Sequence, residues 1–212
     1  MFRKLKNDLR VVRENDPAAR GNAEIFFLYN GFKAVRKYRK AHWFYRRRMY
    51  FIARWISQRA KFRTGIEIHP AATLGEGLFI DHGTGVVIGE TTVIGKNCVI
   101  YQGVTLGGTG KETGKRHPTL GDNVMVGAGA KVLGPINVGN NVKIAAGAVV
   151  LNDIPDNATA VGVPARVVRL EGKRVTQDLD QIHFADPVSQ AICKLQIEID
   201  HLQKRIGELE EK

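Results

Sequence analysis

Serine occurs only twice in these 212 residues, at Ser57 and Ser189, and cysteine only twice, at Cys98 and Cys193. Two cysteines so differently placed make no disulfide framework. With so few serines, a covalent acyl-enzyme route also lacks an obvious attacking group. No run of about 18 apolar residues exists, so no membrane span is expected. Met1-Phe2-Arg3-Lys4 opens no signal-peptide apolar core, and a cytoplasmic setting follows. Acidic residues are scarce in one place only. Residues 1–64 hold 4 Asp+Glu against 18 Lys+Arg, a charge of +14, whereas residues 65–212 hold 17 against 14, a charge of −3. The overall +11 is therefore a property of the first 64 residues. A hydrophobic content of 43% suffices for a core in one large domain or two small ones.

What the chain does have is a count of six. Aliphatic residues fall at Ile68, Leu74 and Ile80, at Ile88, Ile94, Ile100 and Leu106, and at Leu120, Val126, Val132, Val138, Ile144 and Val150. Glycine follows many of them, as at Gly75, Gly89, Gly95, Gly121 and Gly139. Neither a helix nor a two-residue strand alternation has this period, which belongs to a repeat architecture. The fold expected for residues 65–168 is a mainly β, left-handed parallel β-helix of roughly five coils. Small residues at Thr92, Cys98, Ala130 and Ala148 read as inward corners, which leaves Cys98 no nucleophilic role.

The count lapses twice. Eight residues separate Ile80 from Ile88 and enclose Asp81-His82-Gly83-Thr84-Gly85. Fourteen separate Leu106 from Leu120 and enclose Gly107-Gly108-Thr109-Gly110 and Arg116-His117-Pro118. Stacking alone gives no reason to skip there, so the chemistry is expected at the two lapses.

Residues 1–64 read as an α-helical domain. A helix is expected over 3–13, with Leu5, Leu9 and Val12 on one side, and Asp16-Pro17 reads as a helix start. Helical pattern then runs over 22–63, interrupted near Gly31 and around His42, with Phe26, Phe27, Tyr29, Trp43, Phe44, Phe51, Ile52 and Trp55 as its apolar surface. Such a basic, aromatic segment suits either phosphate binding or a cap docked by its aromatics on the end of the solenoid. The cap is the preferred reading, with no nucleic-acid or membrane partner. Residues 169–212 read as a linker and a last helix. There Val188, Ile192, Leu195, Ile199, Leu202, Ile206 and Leu209 form a heptad seam, read as a coiled coil or as one amphipathic helix folded back on its own chain.

Without a nucleophile, direct transfer with a general base remains, and histidine is the natural base near neutral pH. His82 and His117 occupy the lapses and His69 lies beside the solenoid. Glu67 precedes His82 by fifteen residues, close enough to one coil to hold its far nitrogen. Arg116 offers a planar fork for a carboxylate or phosphate, and the glycine run 107–110 lets an anionic or bulky ligand approach backbone amides. Zinc is not expected, because the closely paired histidines of solenoid carbonic anhydrases are missing.

The runs Gly65-Ile66-Glu67-Ile68-His69-Pro70, Asp81-His82-Gly83-Thr84-Gly85, Val104-Thr105-Leu106-Gly107-Gly108-Thr109-Gly110-Lys111 and Arg116-His117-Pro118, closed by Gly162-Val163-Pro164-Ala165-Arg166, resemble the serine acetyltransferase family. Upstream the likeness extends through Asp16-Pro17-Ala18, Tyr38-Arg39 and His42-Trp43. It implies direct transfer of acetyl from acetyl-CoA to the hydroxyl of L-serine, giving O-acetyl-L-serine for L-cysteine biosynthesis, with L-cysteine as feedback inhibitor. His82 would be the base and Glu67, where many members carry Asp, would hold its ring. Asp16 and Asp81 would bind the substrate ammonium, Arg116 its carboxylate, and His117 would assist. Acetyl-CoA would be contacted around Gly108, Ala128, Lys143 and Ala146, with no metal. A homotrimer with sites between neighbours is implied, and paired trimers are a further option. The tail Glu210-Glu211-Lys212 departs from the terminal isoleucine that inserts into cysteine synthase, so that complex is not expected. A sugar or other hydroxyl acetyltransferase and a non-enzymatic scaffold using the basic helices are the alternatives.

Overall fold

Six-residue spacing of β-branched and aliphatic residues builds a three-sided coil, in which each side is one short strand. The computed structural model describes residues 2–110 and 113–174, and the heptad segment at 188–209 lies outside the described residues. The first face stacks β1 (Glu67–Ile68), β4 (Val87–Ile88), β7 (Thr105–Gly107), β10 (Lys131–Leu133) and β13 (Val149–Val150). The second stacks β2 (Thr73–Leu74), β5 (Val93–Ile94), β8 (Thr119–Leu120) and β11 (Asn137–Val138), and a bridge from Val138 to Ile154 adds its fifth rung. The third stacks β3 (Phe79–Ile80), β6 (Val99–Ile100), β9 (Met125–Val126), β12 (Lys143–Ile144) and β14 (Ala158–Val161). All these pairings are parallel, giving a left-handed β-helix of five coils.

Register explains the sequence period. Ile68, Ile88, Leu106, Val132 and Val150 lie one above another, as do Ile80, Ile100, Val126, Ile144 and Ala160. Each residue of these two columns is buried, so truncating one such as Ile100 to alanine would cost roughly 2–5 kcal/mol. Cys98 is fully buried, and burial pushes its thiol up to about 11, which rules it out as a nucleophile at neutral pH. At the corner between the second and third faces, Asn97, Asn123, Asn141 and Asn157 take left-handed backbone. Asparagine tolerates that conformation, and its amides link coil to coil, from Asn123 to Asn141 at 3.1 Å and from Asn141 to Asn157 at 2.9 Å. The solenoid ends when β15 (Arg166–Leu170) turns back antiparallel on β14 and is followed by β16 (Lys173–Arg174), so sheet structure passes the expected boundary at 168.

Four helices precede the coils: α1 (Phe2–Asn15), α2 (Asn22–Leu28), α3 (Asn30–Arg46) and α4 (Tyr50–Thr64). They close the first coil chemically as well as sterically. Strand N–H groups in this solenoid donate to the next coil, as Glu67 does to Val86 and His69 to Ile88, so first-coil carbonyls have no preceding coil to pair with. Ser57 donates its hydroxyl to the Ile68 carbonyl at 2.7 Å, His42 its Nδ1–H to that of Pro70 at 2.8 Å, and Tyr38 its hydroxyl to that of Ala72 at 2.5 Å.

Three expectations need correction. The first helical break falls at Tyr29, near Gly31 as expected, but the second falls at 47–49 and not around His42. Gly31 lies in the first turn of α3, and a Cβ there would come 2.1 Å from the Ile80 carbonyl oxygen, so this glycine permits close docking. Asp16 caps no helix: α2 starts six residues later, with Gly21 at its N-cap. Of the expected aromatics only Phe26 and Tyr29 pack, partly buried, on the cluster around Phe79, and the larger ones of α3 and α4 do not dock the cap. Phe51 is 83% exposed, Trp55 53% and Trp43 49%, while the inward contacts come from Ala34, Val35, Tyr38 and Ile25. Guanidinium groups cover part of the outer aromatic surface, Arg47 over Trp43 at 3.6 Å and Arg59 over Trp55 at 4.9 Å. Among the described residues, no helix is long and apolar enough to cross a membrane.

Candidate active site

Phe79 explains how Asp16 comes to the solenoid. Its ring lies on the outer side of β3, buried beneath Val11, Val12, Ile25 and Phe32, with Leu5 and Leu9 at the margin. The apolar stripe of α1 therefore lies against the strand that leads directly into Asp81-His82. There the Asp81 amide is held by the Ile100 carbonyl at 2.9 Å, and the Asp81 carbonyl accepts the Gly83 N–H at 2.5 Å. His82 projects from this tight corner at φ 54, exposed, in a backbone region that costs a non-glycine residue on the order of 1 kcal/mol. Among the described residues no hydrogen bond engages its ring.

Asp16 faces the same corner. Its Oδ1 accepts the Ala18 N–H at 2.8 Å and its Oδ2 accepts the Tyr29 hydroxyl at 2.7 Å. Those two bonds, Tyr29 first, hold its carboxyl below the ordinary carboxylate range, and His82 adds to the effect. The same bond pushes Tyr29 up to about 12, and Tyr29 also feels Asp81. Asp16, Tyr29, Asp81 and His82 thus form one electrostatic group. The sequence reading found three of the four. It took Tyr29 for apolar surface, since no local pattern ties a residue to a carboxylate thirteen positions back across α2.

Glu67 begins β1 beside this corner, but its carboxylate accepts the Lys61 Nζ at 2.6 Å rather than His82. Lys61, in the last turn of α4, is a neighbour the sequence reading did not include.

A second group lies at the other end of the first face, where the chain passes to the second. Arg116 donates to Glu90 Oε2 at 2.6 Å, with both side chains about one-third exposed. His117 is buried, and its Nδ1 accepts the Thr91 N–H at 3.2 Å. A Cβ on Gly89 would lie 1.9 Å from the ring, so the ring rests on bare backbone there. Burial, with Arg116 beside it, holds the imidazole below its ordinary value of 6.5, keeping it neutral. His69 is nearby and also held low by burial, and its Nδ1 accepts the Ala71 N–H at 3.1 Å, a structural role. Glu90 and Thr91 escaped the sequence reading because they sit within an unbroken hexad.

The four residues expected at acetyl-CoA do not share one corner. Ala128 and Ala146 stack at the corner that also holds His82, joined by the Gly147 N–H to the Ala128 carbonyl at 2.8 Å, and Lys143 is exposed on the adjoining third face. A Cβ on Gly129 or Gly147 would meet nothing within 4 Å, so this edge is an open track of bare backbone. Gly108 belongs to the opposite corner, against the Arg116 stem, where a Cβ would come 3.2 Å from Arg116 Cγ.

One chain therefore presents two half-sites at opposite edges of its first face: Asp16, Asp81 and His82 at one, Arg116, His117 and Gly108 at the other. The first has a carboxylate pair and an open imidazole, the second a guanidinium and a neutral imidazole.

Comparisons with known proteins bear on what these groups act upon. The model for "Bacterial transferase hexapeptide (six repeats)" matches residues 117–152, and that for "Hexapeptide repeat of succinyl-transferase" matches residues 85–108. A serine acetyltransferase of Bacillus pumilus is 52% identical over 211 residues, covering 100% of this chain and 97% of its own. The Neisseria gonorrhoeae serine acetyltransferase, solved in complex with serine, superposes with a TM-score of 0.76 at 45% identity, over 79% of this chain and 69% of its own. A serine acetyltransferase in complex with cysteine superposes with a TM-score of 0.78 at 44% identity, over 80% of this chain and 66% of its own. With half its residues shared over its full length with such an enzyme, and with the same fold as those solved, the chain belongs to the serine acetyltransferase family.

Proposed function

We propose that the chain moves the acetyl group of acetyl-CoA directly to the hydroxyl of L-serine, at sites formed where two protomers of a homotrimer meet. The observation that carries this reading is the separation of the half-sites. An amino acid needs carboxylates for its ammonium and a guanidinium for its carboxylate, and one chain holds these at different corners. Three-fold packing of triangular coils would bring the His82 corner of one protomer to the Arg116 corner of the next.

Asp16 and Asp81 bind the substrate ammonium in this reading, and Arg116 takes its carboxylate in a bidentate grip. His117 offers its neutral ring to the same end of the substrate. His82 takes the proton from the serine Oγ as that oxygen bonds to the thioester carbonyl carbon. The C–S bond then breaks, and the imidazolium returns the proton to the CoA sulfur. Glu67 orients the His82 ring and stabilises its charge once substrate draws the carboxylate away from Lys61. Acetyl-CoA follows the bare edge by Ala128 and Ala146, with Lys143 available to its phosphates and Gly108 reached from the neighbouring protomer. The scarcity of nucleophiles agrees with direct transfer, since Ser57 is buried on a first-coil carbonyl and Cys98 is an inert core thiol. L-Cysteine carries the same ammonium and carboxylate as serine and is expected to compete for this pocket, as the cysteine complex of a relative suggests.

Release of free thiol from acetyl-CoA tests the reading directly. L-Serine should support turnover well above homoserine and simple sugars. Turnover with a sugar and none with serine would overturn it.

A further inference from the structure

The fourteen-residue step from Leu106 to Leu120 throws an arm off the solenoid, and that arm must return Arg116 and His117 to a defined place. Its glycines at 108, 110 and 114 bring no side chains to fasten it. Among the described residues, all hydrogen bonds tying 115–117 to the preceding coil end on Glu90 or Thr91. Thr91 takes the larger share. Its hydroxyl oxygen accepts the backbone N–H of Arg116 and that of His117, each at 3.1 Å, and stands 2.9 Å from His117 Nδ1. Its carbonyl accepts the Lys115 Nζ at 2.7 Å.

We propose that Thr91 is the positioning residue of the carboxylate half-site: it fastens the Arg116-His117 backbone to the coil below and holds the His117 ring as a fixed Nε2–H donor. A hydroxyl has one proton and two lone pairs. Here both lone pairs face amides, so the proton goes to Nδ1. That nitrogen also receives the Thr91 N–H, and with two donors aimed at it, it carries no proton itself. The ring proton is therefore on Nε2, and the ring can donate from that atom to a substrate carboxylate. No hydroxyl capacity remains for substrate, so Thr91 acts through Arg116 and His117 rather than by contact. Around the ring, Arg116 and Lys115 oppose its protonation and Glu90 favours it, while burial tips the balance to the neutral form.

This inference rests on assigning Arg116 and His117 to the serine carboxylate, and its test separates the two ideas. Thr91→Val keeps the shape and removes the hydroxyl. It should raise the serine KM by about tenfold, from two backbone N–H groups and one ring nitrogen losing their partner, with the acetyl-CoA KM unchanged. The neutral ring loses its hydroxyl donor at Nδ1 in that variant, so the His117 titration followed by NMR should move upward, and Thr91→Ser should restore both readings. If Thr91→Val does not fold, Thr91→Ala is compared with Thr91→Ser in the same way. An unchanged serine KM with an unmoved His117 titration would overturn the proposal. So would a serine variant that behaves like the valine one, since the methyl group would then be what matters. The titration needs no substrate. A moved titration in a protein that does not acetylate serine would leave the Thr91 contact standing and sink the serine assignment alone.

Discussion

His82→Ala is expected to lower kcat by roughly 10²- to 10⁴-fold, the usual contribution of a positioned general base, while the protein stays folded. Both halves of that expectation come from the corner itself. The ring is exposed and makes no hydrogen bond among the described residues, so its removal empties no core and orphans no partner. The backbone at φ 54 is held by the Ile100 carbonyl and the Gly83 amide, neither of which the ring supplies. Asparagine tolerates left-handed backbone better than alanine does. His82→Asn should therefore reproduce the loss of kcat with still less effect on a thermal melt. Thiol release under saturating substrates measures the first quantity. A variant with the wild-type kcat would take His82 out of the base role.

Arg116→Ala should act on the other half of the reaction, raising the serine KM by roughly 10- to 100-fold through loss of a charge-assisted pair. The acetyl-CoA KM should barely move. Stability should change little as well, because the Arg116–Glu90 pair is about one-third exposed on both sides and contributes at most about 1 kcal/mol. Arg116→Lys keeps the charge and loses the fork, so it should fall between the wild type and alanine. If both KM values rise together, or kcat alone falls, Arg116 does not hold the serine carboxylate.

The solenoid was legible because one residue in six must be apolar for a coil to stack, and that demand repeats without tertiary help. His82, Arg116 and His117 were legible as interruptions of the same demand. What escaped depends on contacts distant in sequence. Tyr29 reaches Asp16 across α2, and Thr91 receives an arm that returns about 25 residues later. Asp16-Pro17 carried a sound local signal for a helix start, but the chain spends that aspartate on a turn and on Tyr29. Trp43, Phe51 and Trp55 of the helical cap were misread for a related reason. Composition cannot distinguish a docking face from an outer one, and here small residues such as Ala34 and Ala41 bring the helices close. Glu67 follows the pattern in position, yet Lys61, supplied by a helix end, holds its carboxylate.

Joining the half-sites across two protomers is the central claim, and co-expression of two impaired variants, assayed at serine too dilute to saturate Arg116→Ala, tests it most directly. His82→Ala and Arg116→Ala chains carrying different tags are purified together through both tags. Each site then draws His82 from one chain and Arg116 from its neighbour. In a trimer that carries both tags, one of the three sites recovers both residues, and serine-dependent thiol release should rise to about a third of the wild type. Verified mixed assemblies no more active than either variant alone would contradict the shared site.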